Sequence, residues 1–134
     1  MEESVKKYSM YSPLVLAYIG DSVFDIRMRD YMVRHHNMQV EKLHKRISAI
    51  VCARNQAAFV DKYLETFSEE EQAIYNRGRN AAVHTKAKNA SMAEYKKATG
   101  LEAVFGYLHL IEAKDRLDEL VELVLREAGE FNES

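Results

Sequence analysis

The sequence predicts an all-α protein, and three observations support this. Apolar residues recur at helical spacing in several segments, whereas the strict apolar and polar alternation of a strand is not found. The 134 residues include only one proline and five glycines, and this scarcity of helix breakers favours helices. Two segments, Ser68-Glu69-Glu70-Glu71 and Ser91-Met92-Ala93-Glu94, match the capping box that begins a helix. We therefore expect one helical domain over residues 1–134.

Start and stop signals divide the chain into successive helices. The first opens with Ser12 as N-cap and Pro13 at the first helical position, where the missing N–H of proline is no loss. The last is expected to stop at Gly129, because glycine tolerates the left-handed conformation that ends many helices. Residues 79–90 have no strong period and are predicted to form an exposed loop. The predicted helices cover about residues 12–36, 40–65, 68–78, 91–99, a segment bearing Glu102, and 115–129.

Composition and charge narrow the classes of function. Hydrophobic residues make up 47% of the chain and charged residues 30%, the balance of a folded soluble protein. The net charge of -2 argues against a uniformly basic nucleic-acid binder. Basic residues are nevertheless concentrated in two segments, 34–54 and 77–97, each of which contains a single acidic residue. We expect these segments to contribute to one basic face.

The sequence also predicts a cytoplasmic protein that does not enter a membrane. The first seven residues contain no apolar signal core, and no run approaches the ~20 apolar residues that a spanning helix needs. A lone Cys52 cannot form an internal disulfide, which fits a reducing compartment.

Two acidic residues, Asp21 and Glu102, interrupt apolar helical segments. Because burying an ionised carboxylate is costly, each is expected to have a partner. Gly20 lies beside Asp21 and Gly106 lies one turn beyond Glu102, so the two helices could approach closely. If they cross there, both carboxylates could bind one Mg²⁺ or Mn²⁺, hard cations that take oxygen ligands. Such an ion polarises a phosphodiester and promotes attack by water.

Spacing alone leaves two alternatives open. Each acid could instead be hydrogen-bonded to a tyrosine, serine or arginine of the core, and this is equally compatible with the pattern. Asp25, one turn from Asp21, could orient the site, or it could pair with Arg29 four residues later.

The two acidic segments resemble the two motifs of the ribonuclease III family. Leu16-Ala17-Tyr18-Ile19-Gly20-Asp21-Ser22-Val23-Phe24 is similar to the family signature, and Leu101-Glu102-Ala103-Val104-Phe105-Gly106-Tyr107-Leu108 is similar to the second motif. The form of the signature, together with Arg77-Gly78-Arg79-Asn80, most resembles the Mini-ribonuclease III branch, which lacks a double-stranded-RNA-binding domain. The resemblance covers nearly the whole chain and implies a helical bundle like the ribonuclease III endonuclease domain.

The resemblance further implies a divalent-metal-dependent endoribonuclease that cuts double-stranded RNA, leaving 5′-phosphate and 3′-hydroxyl ends. The catalytic, metal-binding acids fall on Asp21 and Glu102, with Mg²⁺ as cofactor and Mn²⁺ as a substitute. Two further acids of the larger enzymes are replaced here by Ala17 and Thr99, which predicts a weaker and more hydrated metal site. Also implied are a homodimer built around the signature helix and maturation of the large-subunit ribosomal RNA precursor. Whether a ribosomal protein bound to that RNA is a further partner stays open.

Without a separate binding domain, duplex RNA must be held through its shape, phosphates and 2′-hydroxyls. We predict that the loop and its flanks clamp the duplex through Arg77, Arg79, Asn80, Lys86, Lys88 and Asn89. Lys45, Arg46 and Arg54 are secondary candidates. Two other functions compete: a non-catalytic duplex-RNA-binding protein on the same scaffold, favoured by the lost acids, and a helical protein-interaction module, against which the basic loop argues.

Overall fold

A computed structural model describes residues 2–83 and 91–130. Within these ranges the protein is all-α, which confirms the predicted fold class, and none of the helices there is long and apolar enough to cross a membrane. One turn of 3₁₀-helix, Leu64–Thr66, follows the fourth α-helix. The α-helices are α1 (Glu2–Ser9), α2 (Pro13–His35), α3 (Val40–Val51), α4 (Ala53–Tyr63), α5 (Glu69–Ala81), α6 (Met92–Leu110) and α7 (Lys114–Glu127).

Helices α2 and α6 cross at the centre of the fold and share the most extensive contact between any two of the described elements. The crossing is tight because each helix contributes a glycine to it. A β-carbon on Gly20 would overlap the carbonyl oxygen of Glu102, and a β-carbon on Gly106 would overlap that of Leu16. The close approach expected from the two glycines is therefore confirmed, and any larger side chain there would push the backbones apart.

The other helices pack around α6. From Ala98 to Leu108 every residue of α6 except Glu102 is buried. Helix α5 lies close to it, because Gly100 of α6 faces the ring of Tyr75 and Gly78 of α5 faces Gly100. Helices α4 and α7 also contact α6, so Glu102 is set into a helix that is otherwise surrounded by protein.

Several predicted helix bounds need correction. The helix expected over 40–65 is two helices, because the backbone of Cys52 is extended, with φ -63° and ψ 153°. The two helices expected around Gly100 are one, α6, because packing against Tyr75 compensates the roughly 1 kcal/mol that glycine costs inside a helix. Helix α5 continues past Gly78 to Ala81, and α1 was not predicted.

The predicted helix ends are confirmed where a local hydrogen bond or backbone angle determines them. The hydroxyl oxygen of Ser68 accepts from the backbone N–H of Glu71 at 3.1 Å, and the Glu71 carboxylate accepts from the Ser68 N–H at 3.0 Å. The same pair of bonds links Ser91 and Glu94. Gly129 has φ +84° just after α7. Ser12 holds the N-cap position of α2, but its side chain makes no capping hydrogen bond.

Candidate active site

The two acids singled out by the sequence meet at the crossing of α2 and α6. Asp21 directly follows Gly20, and the backbone of Glu102 lies over that glycine. The Asp21 carboxylate is close enough to Glu102 to act on it through both charge and a hydrogen bond. The structure therefore brings together side chains that are 81 positions apart in the sequence.

The expectation that both acids are buried is wrong for Asp21. Asp21 is exposed, because its face of α2 is not covered by another helix in the described parts of the chain, whereas Glu102 is half-buried. The cost of burying a charge consequently falls on Glu102 alone.

The pKa of Glu102 is raised from 4.5 to about 8. Burial is the largest cause, since removing water disfavours the charged form, and the negative charge of Asp21 and a hydrogen bond with Asp21 add to it. A hydrogen bond from Gln56 acts in the opposite direction and lowers the pKa. Two neighbouring carboxylates with no ion pair between them and a basic side chain in residues 2–83 and 91–130 fit a divalent cation.

Gln56 is a residue of this site that the sequence analysis missed. Its side-chain Nε2 donates to the carbonyl oxygen of Val51 at 2.8 Å and lies 3.5 Å from Glu102 Oε2. The residue is only 5% exposed, and its Oε1 has no hydrogen-bond donor within residues 2–83 and 91–130. The sequence did contain a signal for it: Gln56 is a polar residue one helical turn before Val60, among the residues that α4 buries.

A cavity of about 200 Å³ lies beside Asp21, lined by Asp21, Ser22, Phe24, Asp25 and Val51. Of the two alternatives for Asp25, the ion pair is observed, since its Oδ2 lies 2.9 Å from Arg29 Nε. The cavity gives space for a hydrated cation or a phosphate oxygen next to Asp21.

Ala17 and Thr99, which stand where the larger enzymes of the family have acids, bring no charge to the site. Ala17 and Thr99 are both buried, and the Thr99 hydroxyl donates to the carbonyl oxygen of Tyr95 at 3.0 Å. No group of three or more histidine, cysteine, aspartate or glutamate side chains suited to a metal occurs in the described parts of the chain. A cation at this site would therefore have the two carboxylates of Asp21 and Glu102 as its charged ligands and would keep several waters.

The predicted RNA-contacting residues are only partly within the described ranges. Arg77 donates to the carbonyl oxygens of Ser9 at 2.5 Å and Tyr11 at 3.0 Å, and so links α5 to the segment after α1. Arg79 lies 3.4 Å from the side-chain oxygen of Asn80. These three candidates belong to the last turns of α5 and not to a loop, which corrects the predicted start of that loop. Lys86, Lys88 and Asn89 lie outside the described residues.

The secondary basic candidates differ in their surroundings. Arg46 makes two hydrogen bonds with the carboxylate of Glu130, at 3.1 and 3.0 Å, and is committed to the fold. Lys45 and Arg54 are exposed.

The exposed side of α2 carries a row of apolar side chains. Val15, Tyr18, Ile26 and Val33 recur at helical spacing and are 50%, 83%, 60% and 64% exposed. A row of this kind along the central helix marks a surface suited to a protein partner.

The sequence and the fold were compared with known proteins. A family profile described as the Ribonuclease III domain matches residues 14–112. Mini-ribonuclease 3 of Enterococcus faecalis is 41% identical over 131 residues, covering 96% of this chain and 99% of the relative, and Mini-ribonuclease 3 of Clostridium tetani is 44% identical over 115 residues, covering 85% and 76%. A crystal structure of a Fusobacterium nucleatum protein superimposes with a TM-score of 0.81 at 28% identity, covering 88% of this chain and 94% of the other. The chain therefore belongs to the ribonuclease III family and is an endoribonuclease of the Mini-ribonuclease 3 branch.

Proposed function

We propose that this endoribonuclease cleaves double-stranded RNA with the help of a divalent cation, Mg²⁺ or Mn²⁺, bound by Asp21 and Glu102. The observation that carries the proposal is the meeting of the two carboxylates at the glycine crossing, where burial and the neighbouring charge of Asp21 raise the pKa of Glu102. The cation, when bound, supplies the charge that polarises a phosphodiester and activates water for attack.

The two acids have different tasks in this proposal. Asp21 is exposed beside the cavity and is accessible to both the cation and the RNA backbone. Glu102 is half-buried and holds a proton up to about pH 8, so cation binding must release that proton. Cation affinity should accordingly rise with pH over the neutral range.

We further propose that the protein is a homodimer, with the exposed face of α2 as its interface. Val15, Tyr18, Ile26 and Val33 give this face an apolar row that a second copy would cover. Cutting both strands of a duplex needs two sites, and a symmetric dimer supplies them.

The finer substrate assignment rests on the family resemblance. We propose that the enzyme acts in the cytoplasm on the precursor of the large-subunit ribosomal RNA, with a ribosomal protein bound to that RNA as a further partner. Arg79 and Asn80, together with Lys86, Lys88 and Asn89, remain the proposed duplex contacts. Arg77 remains with them, although its guanidinium already binds two backbone carbonyls.

The test is cleavage of a structured RNA by Asp21→Asn and Glu102→Gln in the presence of Mg²⁺. Both variants should lose cleavage while retaining RNA binding, and Asp30→Asn, which alters an exposed carboxylate of α2 that pairs with Arg34 and does not line the cavity, serves as the control. Undiminished cleavage by both variants would reject the proposal. Salt-sensitive RNA binding by the wild-type protein, without cleavage at any cation concentration, would favour the non-catalytic binder instead.

A further inference from the structure

Gln56 connects two parts of the site that lie on different helices. It belongs to the first turns of α4, directly after the break at Cys52. Its amide nitrogen donates to the carbonyl of Val51, the last residue of α3, at 2.8 Å. A carbonyl at a helix end has no intrahelical partner, so this bond anchors the Gln56 side chain at the junction of α3 and α4.

The second N–H of the same amide is available to Glu102. Gln56 Nε2 lies 3.5 Å from Glu102 Oε2, which is long for a hydrogen bond. Hydrogen bonds in catalytic sites are often long before substrate or cofactor binds and shorten afterwards, and bonds to an ionised carboxylate are the shorter kind. The contact is therefore suited to the ionised form of Glu102.

The burial of Gln56 would be costly if the amide had only a packing role. An apolar side chain of the same size would fill the position without leaving Oε1 short of a donor among the described residues, a deficit that costs roughly 1–3 kcal/mol. Val51, the acceptor of its anchoring bond, also lines the cavity beside Asp21. A buried, partly unsatisfied amide next to an acidic pair is typical of residues that orient ligands.

We propose that Gln56 is a positioning residue that holds the Glu102 carboxylate in the orientation needed for cation binding. This inference rests on the proposed function, because it takes Asp21 and Glu102 as the cation's ligands. Gln56 acts through Glu102 and is not itself assigned contact with the cation or the RNA.

The chain offers a matched control for this role in Gln72. Its Nε2 donates to the carbonyl oxygens of Leu64 at 3.2 Å and Phe67 at 3.0 Å, so it also closes a junction before a helix. The Gln72 amide donates only to backbone carbonyls in these contacts, whereas the Gln56 amide also approaches the Glu102 carboxylate. Replacing either glutamine by methionine removes an amide hydrogen bond to the backbone, but only Gln56→Met removes a donor to Glu102.

The experiment is calorimetric titration of Mn²⁺ into the wild-type protein, Gln56→Met and Gln72→Met, together with the Mg²⁺ dependence of cleavage. We expect Gln56→Met to weaken Mn²⁺ binding by about 10-fold or more, the usual effect of losing such an orienting contact. The Mg²⁺ concentration for half-maximal cleavage should rise by the same factor, and saturating Mn²⁺ should restore much of kcat. Gln72→Met should leave the affinity and the half-maximal concentration unchanged.

An affinity within twofold of wild type in folded Gln56→Met would overturn the inference, as would equal weakening in both variants. If Gln56→Met does not fold, Gln56→Asn keeps a buried amide but withdraws it from Glu102 by one methylene, and the same loss of affinity is expected. Unchanged affinity in that variant would also overturn the inference. Failure of the proposed function looks different, because Glu102→Gln would then bind Mn²⁺ and cleave RNA like the wild type.

Discussion

Glu71 and Glu102 are both acids largely withdrawn from water on helices that pack together, yet their surroundings differ. Glu71 is buried on α5, and its two oxygens accept hydrogen bonds from Arg116 of α7, each at 2.9 Å, as well as from the Ser68 N–H. Glu102 on α6 has another acid, Asp21, as its charged neighbour, and the Gln56 amide lies 3.5 Å from its Oε2.

This difference separates a carboxylate that serves the fold from one that is available for chemistry. The charge of Glu71 is neutralised within the chain by a bidentate guanidinium, the strongest geometry for such a pair. Among the described residues no cation neutralises the charge of Glu102, and burial, together with the nearby charge of Asp21, raises its pKa to about 8. An acid that the fold leaves without a cation is the one that should require an external cation.

The largest expected effect is on catalysis. Glu102→Gln should reduce cleavage on the order of 10³-fold, because several kcal/mol of transition-state stabilisation by the cation are lost. Glu71→Gln should retain kcat in the fraction of protein that is folded. Single-turnover cleavage of a duplex RNA measures both. Equal losses of cleavage in Glu102→Gln and Glu71→Gln would show that the two acids do not differ in their role in catalysis.

The next largest effect is on stability, with the roles of the two acids reversed. Arg116→Ala removes the cation that neutralises Glu71 and should lower the free energy of unfolding by about 3 kcal/mol, since a buried charge is left unpaired. Glu102→Gln should not destabilise the metal-free protein. Urea denaturation followed by circular dichroism measures both changes. If Arg116→Ala lowers the free energy of unfolding by less than about 0.5 kcal/mol, the Arg116–Glu71 pair contributes no more to stability than an exposed ion pair does.

The glycine crossing of α2 and α6 should be more sensitive to an added methyl group than the contact between α5 and α6. Gly106→Ala adds a β-carbon that overlaps the backbone of α2, and it should cost about 1–3 kcal/mol and weaken Mn²⁺ binding by displacing α2 from α6. Gly78→Ala is the control, because its β-carbon would lie 3.0 Å from that of Ala103, tight but without backbone overlap. Thermal melts and Mn²⁺ titration compare the two. A larger loss of affinity in Gly78→Ala would contradict this account of the site.

The last expected effect is the pH dependence of stability in the metal-free protein. The pKa of Glu102 is higher in the folded state, about 8, than its ordinary value of 4.5, so the folded state binds this proton more tightly. The stabilisation is fully present below pH 4.5 and is lost as pH rises to about 8. We expect this contribution to decrease steadily as pH rises across that range.

Urea midpoints measured with chelator present should follow this trend in the wild-type protein and lose it in Glu102→Gln. If stability falls with pH as steeply in Glu102→Gln as in the wild type, groups other than Glu102 cause the pH dependence.

The sequence predicted the site better than it predicted the boundaries around it. Asp21, Glu102, Gly20 and Gly106 were all singled out from apolar segments interrupted by acids, and the structure brings all four to one crossing. Their roles as metal ligands stay a prediction. Helix α1 was missed because none of its residues is buried, so no apolar stripe marks it.

What the sequence determined by itself is local. Capping boxes at Ser68 and Ser91 and the positive φ of Gly129 depend on a few neighbouring residues, and the all-α class follows from the spacing of apolar residues. The tertiary structure alone decided that Asp21 is exposed, that Gly100 lies inside a continuous helix, and that Gln56 approaches Glu102. All three depend on which helices pack together. Packing decides which side chains are exposed, whether contacts offset the cost of a glycine inside a helix, and which residues 46 positions apart come within hydrogen-bond distance. The local spacing of residues does not encode that packing.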